Sequence, residues 1–291
     1  MPLPGAGRTP ARHAALAEFG REDLSLARLA EAHTDALAIL AEAGRTARPD
    51  ALYGVWASDG SDSRLRAERL SGGAWRLEGI KQYCSGANLV SDALVSAHAE
   101  DGLRLFEVPV DQAAVRALES HWASSAFADT ATGPVAFSVI VREQQVLGKP
   151  DWYLTRPGFW HGALGPAACW AGGALSLVEA AAALGRRDAH YRAHLGALHA
   201  LTWGMSAVLE RAGREIDADP QDAAGAGRVR ALMARHLIER ACSEVLDRFG
   251  RATGPQLLAF DARAARQHVA LNLYLRQCHA ERDLEMIPGA V

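Results

Sequence analysis

The pattern of hydrophobic and polar positions divides the chain into three stretches. In residues 11–44 apolar side chains recur at intervals of three and four, which predicts two helices with a break at Gly20. Between residues 51 and 148 the period is two, as over 135–141, where apolar side chains alternate with small or polar ones. Short runs of this kind, separated by turn residues, predict a small antiparallel β-barrel or sandwich.

From Thr155 onward the period is helical again. Four long segments fit the pattern, and their similar lengths and short connections predict an antiparallel four-helix bundle. The first is crowded with glycine and alanine, so a neighbouring helix or a cofactor can approach it closely. The prediction is therefore an α+β chain with three domains. The four segments are residues 159–185, 188–214, 222–251 and 256–285, and the domains are a short N-terminal helical segment (1–50), a β-domain (51–154) and a helical bundle (155–291).

One stretch, residues 72–99, has a pattern suited to holding a ligand. Its first half alternates as a strand does, which predicts Lys81, Tyr83 and Ser85 on one face. The strand ends in the sequence Y-C-S-G-A at 83–87. An aromatic ring, a hydroxyl and two small residues at a strand end let a flat ligand approach the backbone while the ring packs on it.

This stretch also carries a family resemblance. The sequence W-x-L-x-G-x-K-x-Y-C-S-G-A at 75–87 resembles the middle β-domain of the acyl-CoA dehydrogenase family of flavoproteins. Upstream, the G-S-D at 60–62 matches the end of the family's T-E-P-x-A-G-S-D loop. The similarity follows the family's domain order over roughly residues 20–285. The fold it implies is the acyl-CoA-dehydrogenase-like arrangement of short helices, a β-domain and a four-helix bundle.

The resemblance implies FAD as the cofactor. In the family the strand end lies against the isoalloxazine ring, which here implies contacts from Tyr83, Cys84 and Ser85. The G-S-D loop implies that Gly60 and Ser61 lie near the pyrophosphate or the substrate. A backbone amide and a hydroxyl at the edge of the flavin would tune its electron affinity.

Two further motifs imply contact with FAD held by a neighbouring subunit. The family's Arg-x-x-Phe-Gly run corresponds to residues 185–191, where Arg186 or Arg187 could serve although the Phe-Gly pair is missing. The sequence F-G-R at 249–251 resembles the family's F-G-G turn, which implicates Gly250. The implied assembly is a homodimer or homotetramer, and a hetero-oligomer stays open.

The catalytic glutamate of the family is missing. Dehydrogenation of an acyl thioester needs a carboxylate within reach of the substrate α-carbon. The last predicted helix has Leu275 and Arg276 where the family continues with Tyr-Glu-Gly. His161 and Glu281 are the remaining candidates for the base. The N-terminal helical region is also far shorter than in the family, which would leave the flavin more exposed or covered by another chain.

Three functional hypotheses follow from these observations. The first is an FAD-dependent oxidoreductase that acts on the CH–CH group of an acyl-CoA or a similar small molecule. The second is a flavin-dependent monooxygenase of the same fold, which does without the glutamate because reduced flavin and oxygen perform the chemistry. The third is a non-catalytic subunit that pairs with an active relative. The resemblance favours the first, and the missing glutamate keeps the other two open.

Composition narrows the class of protein further. The formal net charge of −3 over 291 residues, with scattered basic side chains, argues against nucleic-acid binding. The N-terminus has Pro and Gly where a signal peptide needs an apolar core, and no apolar run approaches the length of a membrane span, so a cytoplasmic protein is expected. The four cysteines have neither metal-ligand nor disulfide spacing, which predicts buried free thiols and no metal site. They are Cys84, Cys169, Cys242 and Cys278.

Overall fold

The computed structural model of the chain describes residues 1–60 and 64–288. The chain forms two units. The helical unit consists of Met1–Glu31 and Trp160–Val291, and the β-unit consists of Ala32–Phe159. The three-domain division drawn from the sequence stays a prediction.

The β-unit is built on one sheet, which has eight strands among the described residues. They are β1 (Tyr53–Trp56), β2 (Arg66–Arg69), β3 (Ala74–Cys84), β4 (Asp92–Ala99), β5 (Gly102–Pro109), β6 (Val115–Ala117), β7 (Gly133–Arg142) and β8 (Val146–Leu147). Their order is β6-β7-β3-β2-β4-β5-β8, with β1 paired to β4. Most pairs are antiparallel, as predicted. The parallel pairing of β1 with β4 was not predicted, because parallel and antiparallel strands share the same side-chain period.

The two faces of this sheet are covered differently. One face carries an aromatic and aliphatic core, and the predicted alternation over 135–141 is confirmed by its odd-numbered residues, which are all buried there. On the other face, the C-terminal half of helix α2 (Leu24–Glu42) packs its residues Ile39 and Leu40 with Leu94 of β4 and Leu105 of β5. The sheet of the β-unit therefore has a buried interior on both sides of β4 and β5.

A β-bulge interrupts β3 just before its end. Lys81 pairs with Val135 of β7, whereas Cys84 pairs with Gly133, so β3 has one more residue than β7 over this interval. The extra residue reverses the alternation. Cys84 turns into the core, and Tyr83 is left 59% exposed. The prediction that Tyr83 shares the face of Lys81 is therefore wrong, because a strict period of two does not anticipate a bulge.

The helical unit contains most of the helices. Their bounds are α1 (Thr9–Glu22), α4 (Pro157–Gly162), α5 (Gly165–Ala183), α6 (Ala189–Ala218), α7 (Gly227–Thr253), α8 (Pro255–Phe260), α9 (Ala262–Tyr274) and α10 (Glu281–Glu285), with α4 beginning in the β-unit. Helix α3 (Trp152–Thr155) belongs to the β-unit, and α2 passes from one unit into the other. Within the helical unit, α5 packs against α1, α6, α7 and α9.

The small residues of α5 make room for α1. A β-carbon at Gly172 would lie 1.8 Å from the carbonyl oxygen of Ala17, and one at Gly20 would lie 2.2 Å from the carbonyl oxygen of Cys169. Neither position therefore tolerates a side chain without moving backbone. The sequence left open whether a helix or a cofactor approaches the small residues of α5. At Gly172 the close neighbour is helix α1.

The break between α1 and α2 falls at Asp23, not at Gly20 as predicted. Gly20 stays helical and is used for packing. Asp23 is extended, and its carboxylate accepts from the amides of Ser25 and Leu26 at 2.8 and 3.0 Å, which satisfies the first turn of α2. The buried amide of Gln267 joins both helix ends, accepting from the amide of α2's first residue and donating to the carbonyl of Gly20.

The last predicted helix, 256–285, is divided into shorter pieces. Asp261 has an extended backbone (φ −107°, ψ 104°) and caps α9 by accepting from the amide of Ala264 at 2.9 Å. A 3₁₀ turn at Leu275–Gln277 follows, and Ala280 has φ +48° before α10 begins. The side-chain period continues through these interruptions, which is why the sequence reads as one helix.

We expect Gly172→Ala to destabilise the protein by at least about 2 kcal/mol, because overpacking a close backbone contact costs about 1–3 kcal/mol or more. Urea-induced unfolding followed by far-UV circular dichroism measures the change.

The matched control is Gly196→Ala in α6, where an added β-carbon meets nothing within 4 Å. This variant should be as stable as the wild type or more stable by about 0.5–1 kcal/mol, since alanine is the better helix former. Equal stability of the two variants would contradict the α1–α5 contact.

Candidate functional site

The end of β3 is tied to the end of β1. Trp56 is buried, and its indole Nε1 donates to the carbonyl oxygen of Ser85 at 3.0 Å. The next residue, Gly86, has φ +74°, a left-handed conformation that glycine adopts without strain. The turn that follows β3 is therefore held against the neighbouring strand.

A second segment, residues 126–132, pairs with this turn. The amides of Gly86 and Ala87 donate to the carbonyls of Thr130 and Ala131 at 2.8 and 3.1 Å. The two segments form one structure at the end of the sheet. We call it the strand-end site, which comprises residues 83–87, Trp122 and residues 126–132.

Hydroxyl groups link the two segments. The Thr132 Oγ1 atom lies 3.2 Å from the Ser85 Oγ atom and 2.7 Å from the Thr130 Oγ1 atom. Thr130 also donates to the carbonyl of Phe127 at 2.8 Å. Sequence reasoning found Ser85 but missed both threonines, because they precede β7 by sequence and meet Ser85 only through the pairing of β3 with β7.

The 126–132 segment has a strained backbone. Phe127 and Ala131 have φ values of +59° and +47°, in the left-handed region that residues with a β-carbon rarely adopt. Each such residue costs about 1–3 kcal/mol, and such residues occur most often at binding sites. The strain is consistent with a segment shaped to meet a ligand.

Aromatic and apolar surface is exposed beside the hydroxyls. Tyr83 is 59% exposed, Trp122 is 36% exposed, and Leu89 projects from the same turn region. The indole Nε1 of Trp122 donates to the carbonyl of Ala126 at 2.7 Å, which holds this ring to the 126–132 segment. The exposed rings, with the half-buried Ser85 beside them, fit a flat heterocycle such as a flavin ring, whereas Thr130 and Thr132 are buried and hold the turn.

Cys84 does not share this exposure. Its side chain is completely buried, with Sγ 3.5 Å from the carbonyl of Lys81. Burial raises the pKa of the thiol to about 12, although the nearby ammonium of Lys81 acts in the opposite direction. Of the three predicted ring contacts, Tyr83 is exposed and Ser85 is half-buried, whereas the Cys84 side chain is enclosed; the contacts themselves stay predictions.

The predicted G-S-D loop is only partly described. Gly60 is half-buried at the end of an irregular segment that follows β1. Ser61, the other predicted residue of this loop, lies outside the described residues. The role of both residues stays a prediction.

In the helical unit, the structure brings the two predicted FAD anchors near each other. Arg187 is exposed in the connection between α5 and α6, and the adjacent Arg186 donates to the carbonyl of Ala252 at 3.4 Å and to Gln256 Oε1 at 3.0 Å. Gly250 lies two residues before Ala252 in α7, and residues 249–251 are helical, in agreement with the helix predicted over 222–251. Its role toward a cofactor stays a prediction.

His161, a predicted base, is held inside the helical unit. Its Nε2 lies 3.2 Å from the carbonyl of Pro220, and its Nδ1 lies 3.5 Å from the guanidinium of Arg230. A carbonyl only accepts and a guanidinium only donates, so the ring is assigned as the neutral tautomer with its proton on Nε2. Both ring nitrogens are therefore engaged within the unit.

The other predicted base, Glu281, and the family's glutamate position both lie near the C-terminal end of the helical unit. Glu281 is exposed at the first residue of α10. Leu275, at the family's glutamate region, is buried in the 3₁₀ turn, and Arg276 faces Glu239 of α7 at 3.6 Å. The structure places His161 in α4 and Glu281 in α10, two different helices of the helical unit.

Within residues 1–60 and 64–288, no helix combines the length and apolar character needed to cross a membrane. The same residues contain no group of three or more His, Cys, Asp or Glu side chains able to hold a metal ion. The four cysteines are free and buried, which confirms that part of the sequence prediction.

No protein-family model matches the chain, and no curated protein matches it in sequence. Several solved structures match its fold. Dibenzothiophene monooxygenase TdsC from Paenibacillus sp. A11-2 is 19% identical, with a TM-score of 0.83 over 96% of this chain and 82% of TdsC. TdsC has also been solved with FMN and indole.

Two other similar structures have equal TM-scores of 0.83. Methanesulfinate monooxygenase MsuC from Pseudomonas fluorescens is 21% identical over 97% of this chain and 82% of its own. KijD3, solved with FMN and a dTDP-amino sugar, is 18% identical over 98% of this chain and 82% of its own. These similarities confirm the predicted acyl-CoA-dehydrogenase-like α+β fold.

We expect Cys84 to be unreactive in the folded protein. A thiol with a pKa of about 12 is ionised in only ~10⁻⁴ of molecules at pH 8, and only the thiolate attacks a disulfide reagent. Titration with Ellman's reagent at pH 8, followed by mass spectrometry of the Cys84 peptide, measures this.

Unfolding in guanidinium chloride provides the control, since all four thiols should then react within minutes. Rapid modification of Cys84 in the native protein would contradict the inward orientation that the bulge produces.

Proposed function

We propose that the chain is a flavin-dependent monooxygenase that uses FMN. The observation that carries the proposal is the strand-end site, whose exposed Tyr83 ring and neutral hydroxyls suit a flavin ring. FMN in TdsC and in KijD3, two proteins of the same fold, supports the choice of FMN over the FAD expected from the sequence.

The replacement of the family's catalytic glutamate favours oxygen chemistry over dehydrogenation. Removal of an α-proton from an acyl thioester requires a base with a free lone pair beside the substrate. His161 has both nitrogens engaged, and Leu275 and Arg276 replace the family's glutamate. A monooxygenase makes no such demand on the chain, because the reduced cofactor and oxygen supply the reactivity.

The chain's own residues would bind and orient the cofactor. The Tyr83 ring would pack on the face of the flavin, and the Ser85 hydroxyl, fixed by Thr132, would hydrogen-bond its edge. The 126–132 segment, together with Trp122, which is bonded to it, would exclude water from one side of the ring. Reduced flavin, when bound, supplies the two electrons that split O₂, with one oxygen atom going to the substrate and the other to water.

The substrate class proposed is a small apolar aromatic compound. Trp122 and Leu89 present apolar surface beside the site, and they carry no charge that would select a sulfonate or a nucleotide. Indole, which is bound in TdsC, is a suitable first probe. The predicted homo-oligomer, with Arg187 and Gly250 near a partner's cofactor, stays a separate prediction.

Anaerobic titration distinguishes the hypotheses. The purified protein should bind photoreduced FMN, and after admission of ¹⁸O₂ in the presence of indole it should give a product containing one ¹⁸O atom. Butyryl-CoA and octanoyl-CoA should not bleach the oxidised flavin. Bleaching by either thioester would favour the dehydrogenase, and failure to bind any flavin would favour the non-catalytic subunit.

We predict that Tyr83→Ala weakens the binding of reduced FMN about tenfold, because loss of ring stacking and apolar contact is worth about 1.4 kcal/mol. Anaerobic isothermal titration calorimetry measures the dissociation constant.

Ile140→Ala is the matched control. Ile140 is also exposed, at 62%, but it lies seven residues along β7 from Gly133, roughly 23 Å from the strand-end site. Its replacement should leave FMN affinity unchanged, and an unchanged affinity in Tyr83→Ala as well would count against the strand-end site.

A further inference from the structure

A lysine is buried inside the sheet of the β-unit. Lys81 is 1% exposed on the core face of β3, and its Nζ donates to Asp59 Oδ1 at 2.6 Å and to Ser96 Oγ at 2.8 Å. The carbonyls of Ala57 and Ser58 lie 3.5 Å away. Among the described residues, the hydrogen-bond partners of this ammonium other than Ser96 are residues 57–59, which directly follow β1.

Such a lysine is an unusual choice for a core position. Removing an ammonium from water costs free energy that its partners only partly offset, and an apolar residue of similar size often serves stability as well. Burial also lowers the pKa of Lys81, despite the opposing effect of Asp59. A role beyond packing is therefore expected, and the partners indicate that it concerns the conformation of residues 57–59.

Strand β4 holds the same residues from the other side. Ser96 Oγ donates to the carbonyl of Ala57 at 2.9 Å, and His98 Nε2 donates to Asp59 Oδ2 at 2.6 Å. Each oxygen of Asp59 thus bonds a different strand, β3 through Lys81 and β4 through His98. Among the described residues, this irregular segment is held by three side chains, those of Lys81, Ser96 and His98.

The segment is also connected to the strand-end site. It begins directly after Trp56, whose indole donates to the carbonyl of Ser85. Lys81 itself lies just before the bulge that exposes Tyr83. Gly60, predicted to lie near the pyrophosphate or the substrate, thus directly follows the residues that Lys81 holds, and the predicted ring contacts at 83–85 begin two residues after Lys81.

We propose that Lys81 is a positioning residue for flavin binding: its buried ammonium holds residues 57–60 in the conformation that receives the cofactor beside the strand-end site. This inference rests on the proposed function for the identity of the ligand. Lys81 acts through the segment and does not touch the flavin, because its side chain is enclosed and its donors are directed at Asp59, Ser96 and the two carbonyls.

The first test uses lysine chemistry. Lys81 and Lys149 are the two lysines of the chain, and Lys149 is exposed. Reductive methylation with ¹³C-formaldehyde should modify Lys149 quickly and Lys81 at least about 100-fold more slowly, since Lys81 reacts only when residues 57–60 move away. Saturating reduced FMN should slow the methylation of Lys81 by at least a further factor of ten and leave the methylation rate of Lys149 unchanged. Similar rates for the two lysines, or an FMN complex that does not protect Lys81, would overturn the proposal.

The second test separates positioning from stability. Lys81→Met removes the charge while keeping an unbranched side chain, and Asp59 is exposed enough to regain water. We expect a melting temperature within a few degrees of the wild type, at least tenfold weaker binding of reduced FMN, and faster hydrogen exchange in a peptide covering 54–60. Lys149→Met is the control and should change none of these.

The outcomes distinguish this inference from the function on which it rests. If the wild-type protein binds no flavin, the proposed function is refuted, and so is the claim that residues 57–60 receive the cofactor. The hydrogen-exchange rate of 54–60 in Lys81→Met would still decide whether Lys81 holds the segment. The positioning role would be overturned if Lys81→Met folds, exchanges the amide hydrogens of 54–60 at the wild-type rate and binds FMN within twofold of the wild-type affinity. A variant too unstable to measure would be replaced by Ser96→Ala, which removes one bond to the ammonium and should show the same changes to a smaller degree.

Discussion

The extra residue in β3 between Lys81 and Cys84 determines what the end of the sheet presents. Without it, the alternation would continue and Tyr83 would enter the core beside Lys81. With it, the phenol faces outward, the thiol is buried, and Ser85 meets Thr132 across the β3–β7 pair. A bulge costs ladder hydrogen bonds but redirects a side chain, and bulges occur frequently beside functional sites for this reason. The exposure of Tyr83 and the burial of Cys84 both follow from this one irregularity.

The sequence predicted the classes of element well and their local irregularities poorly. The period of two and the helical period both reflect burial, so the strand at 135–141 and the helices from 165 onward were found. Two features were missed because they depend on distant partners: the bulge before Cys84 and the parallel pairing of β1 with β4. In both cases, the partner strand determines a feature that the regular alternation of the sequence does not show.

The sequence also predicted the residues of the candidate site only in part. Ser85 and Tyr83 were recognised from a short motif, whereas Thr130 and Thr132 belong to a segment with no motif and are recruited by pairing with β7. His161 looked available beside aromatic residues in the sequence. Its engagement with Pro220 and Arg230 depends on residues 59 and 69 positions away, which no local pattern reveals.

The charges of the β-unit also constrain how a flavin phosphate could be held. Lys81 lies near the proposed site, but its ammonium has three protons, and Asp59, Ser96 and the two carbonyls use them inside the sheet. Freeing it for a phosphate would break its bond to Asp59 and leave that carboxylate facing the anion. The phosphate would therefore be met by other groups, either backbone amides or arginine side chains. Lys81 can influence the affinity for flavin only through the shape of residues 57–60, and this separates a positioning residue from a ligand.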